Sequence, residues 1–226
     1  MKKISVLCLS AILIIGALSG CGDKIVRPTE SPDSSAASLH SPTAEKDNYP
    51  VELSSSEITD FQNAFSEYDN YGFLLSDYED VRDADLYQVF YTGAGMNNPE
   101  NSDEIIDAYL ASISETELFC DCTILTTQQL DDFLLSKTGY TLSEMTNSFT
   151  WEYVEAYDAY VHQHGDTNYM TATCTGGRAV GDDLYEIDYS FDGGIYDDNG
   201  NSFSGGTVTV NTSGVGLQFV SNHLSK

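Results

Sequence analysis

Basic residues are scarce. Only 9 lysines and arginines stand against 36 aspartates and glutamates in the 226 residues, a formal net charge of −27 at pH 7. A chain this acidic has no basic patch with which to displace counterions, which excludes nucleic acid and anionic lipid headgroups as partners found by charge. Histidine is also rare, at four residues: His40, His162, His164 and His223. No Gly-x-Ser-x-Gly elbow and no phosphate-binding glycine loop occurs, so the usual signs of a hydrolase nucleophile and of a nucleotide site are missing. The many carboxylates make any single pair uninformative, and no general acid is named. Long apolar runs are absent beyond residue 18, so no later segment can span a bilayer as one helix.

What is present begins with MKKISVLCLSAILIIGALSGCG. Lys2 and Lys3 precede an apolar stretch over residues 4–18, which suits the h-region of a signal peptide and is short for a stable span. The stretch ends in Leu18-Ser19-Gly20-Cys21, which resembles the lipobox of bacterial lipoproteins. The resemblance implies removal of residues 1–20 and lipidation of Cys21. Acyl chains such as palmitate then hold the protein on the extracytoplasmic face of the cell membrane, each buried methylene contributing about 0.8 kcal/mol.

Residues 21–50 carry that cysteine and a tether. PTESPDSSAASLHSPTAEKDNYP is rich in Pro, Ser and Ala without apolar periodicity, and buries too little to offset its ordering entropy. As a coil it reaches on the order of 30 Å. Composition changes near Val51, and residues 51–226 have the length of one extracytoplasmic domain with a core of its own.

Ser54-x-x-Glu57 is a capping box, and Ile58, Phe61 and Phe65 follow at helical spacing, which predicts a helix over about 55–67. The next stretch is aromatic and acidic with no clean period, and residues 85–91 read as a short strand or turn. Ser102, Asp103 and Glu104 open a second helix carrying Ile105, Ile106, Tyr109 and Leu110. Residues 120–125 alternate like a strand. Thr126-x-x-Gln129 caps a third helix that Gly139 ends, and Thr141-x-x-Glu144 caps a short successor. Tyr153, Tyr157, Tyr160 and Val161 fall at i, i+4, i+7 and i+8, which predicts a helix ending near His164-Gly165. From Met170 the period becomes two, with Tyr185, Ile187 and Tyr189 alternating with Glu186 and Asp188, turns expected at Gly176-Gly177, Gly181-Asp182-Asp183, 198–201 and 212–214, and strands at 207–211 and 215–220. The expected fold is α+β: N-terminal helices packed on a C-terminal antiparallel β-meander in a single domain.

NYGFLLSDYEDVRDADLYQVFYTGAG (70–95), HGDTNYM (164–170) and GVGLQFVSN (214–222) resemble an uncharacterised family of lipoproteins from Gram-positive anaerobes. That likeness implies location and a whole-domain unit, and no activity.

His162-x-His164-x-Asp166 resembles the opening of the metallo-β-lactamase motif, in which Asp is followed directly by His; here Thr167 follows Asp166. The ligand set is incomplete, since the only other histidines are His223 downstream and His40 in the tether, and helical phase would put His162 and His164 on different faces. Cys120, Cys122 and Cys174 remain in the domain. Cys120 and Cys122 on a strand would share a face, as two metal ligands or half of a bridge to Cys174, with burial as small apolar residues the simpler reading. DGGIYDDNGN (192–201) has a calcium loop's composition without its spacing, and reads as a polar hairpin loop. Tyr153, Tyr157 and Tyr160 would line a sugar or peptide groove or, more simply, face the core. The expected function is a non-enzymatic binding or accessory role in the envelope, without a cofactor. The alternatives are a metal-dependent hydrolase using His162, His164 and Asp166, and a small solute-binding lipoprotein.

Overall fold

A computed structural model describes residues 49–165, 170–196, 201–214 and 216–226. The expected signal peptide, Cys21, the expected tether before Tyr49, Asp166 and the 197–200 part of the acidic loop lie outside the described residues.

Helices dominate the first half. Helix α1 (Ser55–Phe65) begins at the capping box: Ser54 N–H donates to Glu57 Oε2 at 2.7 Å, and Phe61 and Phe65 are buried. Helix α2 (Tyr68–Tyr71) runs into a 3-10 turn at Gly72–Leu74. Helix α3 (Leu86–Phe90) replaces the expected strand or turn. Asp85 Oδ1 accepts from the N–H groups of Tyr87 and Gln88, and Leu86, Val89 and Phe90 are buried at i, i+3 and i+4. Helices α4 (Ser102–Ile113) and α5 (Thr127–Thr138) form as predicted, the latter between its capping box and Gly139 at φ 80°. The Thr141–Glu144 box caps a single 3-10 turn.

The strands are β1 (Val51–Glu52), β2 (Asp121–Thr126), β3 (Glu152–Val154), β4 (Ala159–His164), β5 (Ala172–Gly181), β6 (Leu184–Tyr196), β7 (Ser202–Asn211) and β8 (Gln218–Ser225). The expected meander is there: β5 to β8 pair antiparallel in chain order, and β1 adds at the β5 edge. Two details differ. Gly176 and Gly177 lie inside β5 rather than in a turn; position 177 takes glycine for close packing, since a Cβ there would sit 2.9 Å from Glu186 O and from Ile187 Cδ1. The last two strands start elsewhere than expected, β7 earlier at Ser202 and β8 later at Gln218.

The larger correction is a second sheet, ordered β2-β4-β3. The helix expected through Tyr153, Tyr157 and Tyr160 does not exist. Tyr153 sits opposite Tyr160 across an antiparallel ladder, with a 3-10 turn at Glu155–Tyr157 and Asp158 at φ 47° between the strands. The seven-residue spacing that mimics two helical turns is the separation of cross-strand partners in this hairpin. Along β4 the true period is two: Ala159 and Val161 are buried in one core, and Tyr160, His162 and His164 face the other way.

A side-chain amide caps part of one edge of each sheet. Gln62 Nε2 donates to Ala172 O at 2.8 Å and its Oε1 accepts from Cys174 N at 2.7 Å, so α1 covers the part of the β5 edge that the two-residue β1, opposite Arg178 and Ala179, does not reach. Asn98 does the same for β2, accepting from Ile124 N at 2.9 Å and donating to Cys122 O at 3.2 Å. Each amide satisfies one donor and one acceptor that an edge strand would otherwise offer to another chain.

Two apolar clusters result. The large one fills the space between helices and the five-stranded sheet, with Phe73 stacked on Phe219 at 4.3 Å. Buried Asn222 ties it together: its Nδ2 donates to Ser76 O at 2.7 Å and its Oδ1 accepts from Tyr189 Oη at 2.8 Å. The small one packs Ile105, Tyr109 and Leu110 of α4 on Ile124, Val154 and Val161 of the three-stranded sheet.

Candidate functional site

Helices α2 and α3 approach closely because residue 72 is glycine. A Cβ there would lie 2.5 Å from Val89 Cα and 2.9 Å from Gln88 O, contacts no side chain tolerates. The far end of β6 faces this pair of short helices across a groove. Its main bay is a cavity of about 390 Å³, walled by the rings of Tyr68, Tyr71, Tyr91 and Tyr196 together with Leu75, Val89, Met170 and Ile195. No ionisable side chain other than these tyrosines lines it among the described residues. Tyr68 and Tyr196 are 62% and 73% exposed, so large ring faces meet solvent at the rim. An adjoining bay of about 180 Å³ shares Leu75, Gln88, Ile195 and Tyr196, and adds Asp77 and Asp85. The groove therefore runs from an uncharged aromatic end to an acidic one.

Tyr91 connects the groove to the paired histidines. Its ring lies 5.5 Å from those of both His162 and His164. Since β4 is a strand, the two histidines share a face, with rings 5.9 Å apart and 30° between planes; the objection from helical phase falls away. Both nitrogens of His164 already have protein partners. Nδ1 lies 3.1 Å from Gly165 O, to which it donates, and in the neutral ring Nε2 accepts from Thr123 Oγ1 at 2.8 Å. His162 is enclosed by rings: Trp151 stacks on it at 5.1 Å and 24°, and Tyr87 and Tyr91 meet it edge-on. Its Nε2 and the Trp151 Nε1 are both buried without a hydrogen-bond partner among the described residues. Burial, and secondarily the neighbouring His164, hold the His162 pKa below the ordinary histidine range.

Asp166 lies outside the described residues. Among the described residues no three His, Cys, Asp or Glu side chains come together as a metal-binding group. The three domain cysteines are free and stand in different places: Cys120 is exposed, Cys122 packs on the small cluster and Cys174 on the large one. Burial, then the Cys120 thiol, pushes Cys122 up to about 11; burial alone pushes Cys174 up to about 12. Tyr153 and Tyr160 pair ring to ring at 4.9 Å while Tyr157 packs on the small cluster, so these three do not form one groove.

The groove tyrosines were not singled out by sequence reasoning. A signal exists: Tyr68 and Tyr71 at i, i+3 and Tyr87 and Tyr91 at i, i+4 are two short helical pairs inside a stretch that has no overall period. Searches find no family model, no curated protein and no solved structure that matches this chain.

Proposed function

We propose that this is a membrane-anchored extracytoplasmic lipoprotein whose domain has a non-enzymatic binding or accessory role in the envelope, and that the tyrosine-lined groove is its binding site. The groove carries the reading. It is concave and mostly apolar, with a few polar groups at its ends, and its volume is that of a small-molecule site. A small solute-binding role is the form that this volume favours. The anchor is supported by the order of basic pair, apolar run, small residues and Cys21.

A panel of small solutes tested by thermal melting checks the binding. A solute present at 100 times its Kd stabilises by about 2.7 kcal/mol, which for a domain of this size moves the melting temperature by roughly 5–10 °C. The shift is expected in the wild type and lost in Tyr68→Ala/Tyr196→Ala, whose truncated rings are at the exposed rim. Cys21→Ser is expected to release the protein from the membrane fraction; retention would remove the anchor.

The shared face of His162 and His164 favours one other reading, a metal-dependent hydrolase completed by Asp166. The engaged nitrogens of His164 weigh against it. Metal analysis of the purified protein beside His164→Ala decides: a bound metal lost on substitution supports the hydrolase, and no metal in either ends it.

A further inference from the structure

We infer that the groove takes a small organic ammonium ion, with its apolar part against the tyrosines and its charge beside Asp77 and Asp85; this rests on the reading of the groove as the binding site. The two bays share Leu75, Gln88, Ile195 and Tyr196, so one ligand reaches both. No Lys, Arg or His lines either bay among the described residues. The charge there is all of one sign.

Each carboxylate is fixed by one oxygen and open at the other. Asp77 Oδ1 accepts from Leu224 N at 2.8 Å, and Asp85 Oδ1 accepts from Tyr87 N at 2.9 Å as the cap of α3. Among the described residues no hydrogen bond engages the second oxygen of either. An anion entering the groove would meet two like charges, and a neutral ligand would cover them without compensation. A cation gains from both. Hydrated inorganic cations make no use of four tyrosine rings, whereas an organic ammonium offers apolar surface for those rings and a charge for their negative faces. The cavity admits one small molecule, which favours a free amine over a folded partner.

The test uses three compounds of one shape: phenethylamine, 2-phenylethanol and 3-phenylpropionate, titrated calorimetrically into the full mature protein. The amine is expected to bind at least tenfold more tightly than the alcohol, and the carboxylate not at all. Affinity for the amine is expected to fall about tenfold in Asp77→Asn/Asp85→Asn. Asparagine keeps both the backbone acceptor and the helix cap, so this variant is expected to melt as the wild type does. Equal binding of amine and alcohol overturns the ammonium inference and leaves the groove as a binding site. Binding of the amine that is unchanged in the aspartate variant also overturns it. No binding of any of the three, with no solute of the wider panel shifting the melting temperature, overturns both.

Discussion

His162 is an ionisable side chain held among aromatic rings, with its Nε2 unpartnered among the described residues. An imidazole enclosed by Trp151, Tyr87 and Tyr91 has lost water around its charged form and gained no carboxylate to replace it. Its folded pKa is therefore below the unfolded value, and the unfolded chain binds the proton more readily. Stability is unaffected above the ordinary histidine range and falls as pH drops through it. The fall in urea midpoint between pH 7.5 and 5.5 is expected to be smaller in His162→Gln than in the wild type; an identical fall would show that His162 is not held neutral. The thiols offer a second residue-scale measurement. With pKa values pushed to about 11 and about 12, Cys122 and Cys174 present little thiolate at pH 8, roughly one part in a thousand or less. Site-resolved maleimide labelling is expected to modify exposed Cys120 first and Cys174 last. Labelling of Cys174 as fast as Cys120 would contradict its burial.

Elements reveal what sequence patterns can and cannot carry. Gly72 is helical at φ −60°, where alanine normally stabilises, yet its missing Cβ is what lets α3 lie against the turn after α2. Gly72→Ala is expected to cost at least about 1–3 kcal/mol by overpacking, because the contact is with Val89 backbone rather than a yielding side chain. The same change is expected to abolish solute binding by moving Tyr91. A melting temperature equal to the wild type would remove this account of the groove's floor. Local signals were legible where a few adjacent residues decide the outcome. The Ser54/Glu57 and Thr126/Gln129 boxes, Gly139, and the alternation of Tyr185, Ile187 and Tyr189 all place their elements correctly. The β3–β4 hairpin was misread because one spacing has two geometric meanings, two turns of helix or two residues facing each other across strands. Helix α3 was missed because five residues with one cap give almost no periodicity to count. Gln62 and Asn98 cap parts of sheet edges through contacts 110 and 26 residues away, which no local pattern encodes.

At the scale of the whole molecule, the α+β architecture followed from the order of patterns: helices first, then a period of two. The second sheet did not, because β2 and β4 are separated by α5 and pair only through tertiary packing. The groove was equally hidden, being assembled from α2, α3 and the end of β6, with rings contributed by residues 68, 71, 91 and 196. The groove is a concavity separate from the amide-capped stretches of β5 and β2. The central claim is that this concavity is where the protein binds. Fluorotyrosine NMR of the protein, titrated with a solute that raises its melting temperature, tests it most directly. The account predicts that the Tyr68 and Tyr196 resonances move with the ligand while Tyr153, on β3 of the three-stranded sheet, stays; movement of Tyr153 with Tyr68 and Tyr196 unchanged would contradict it.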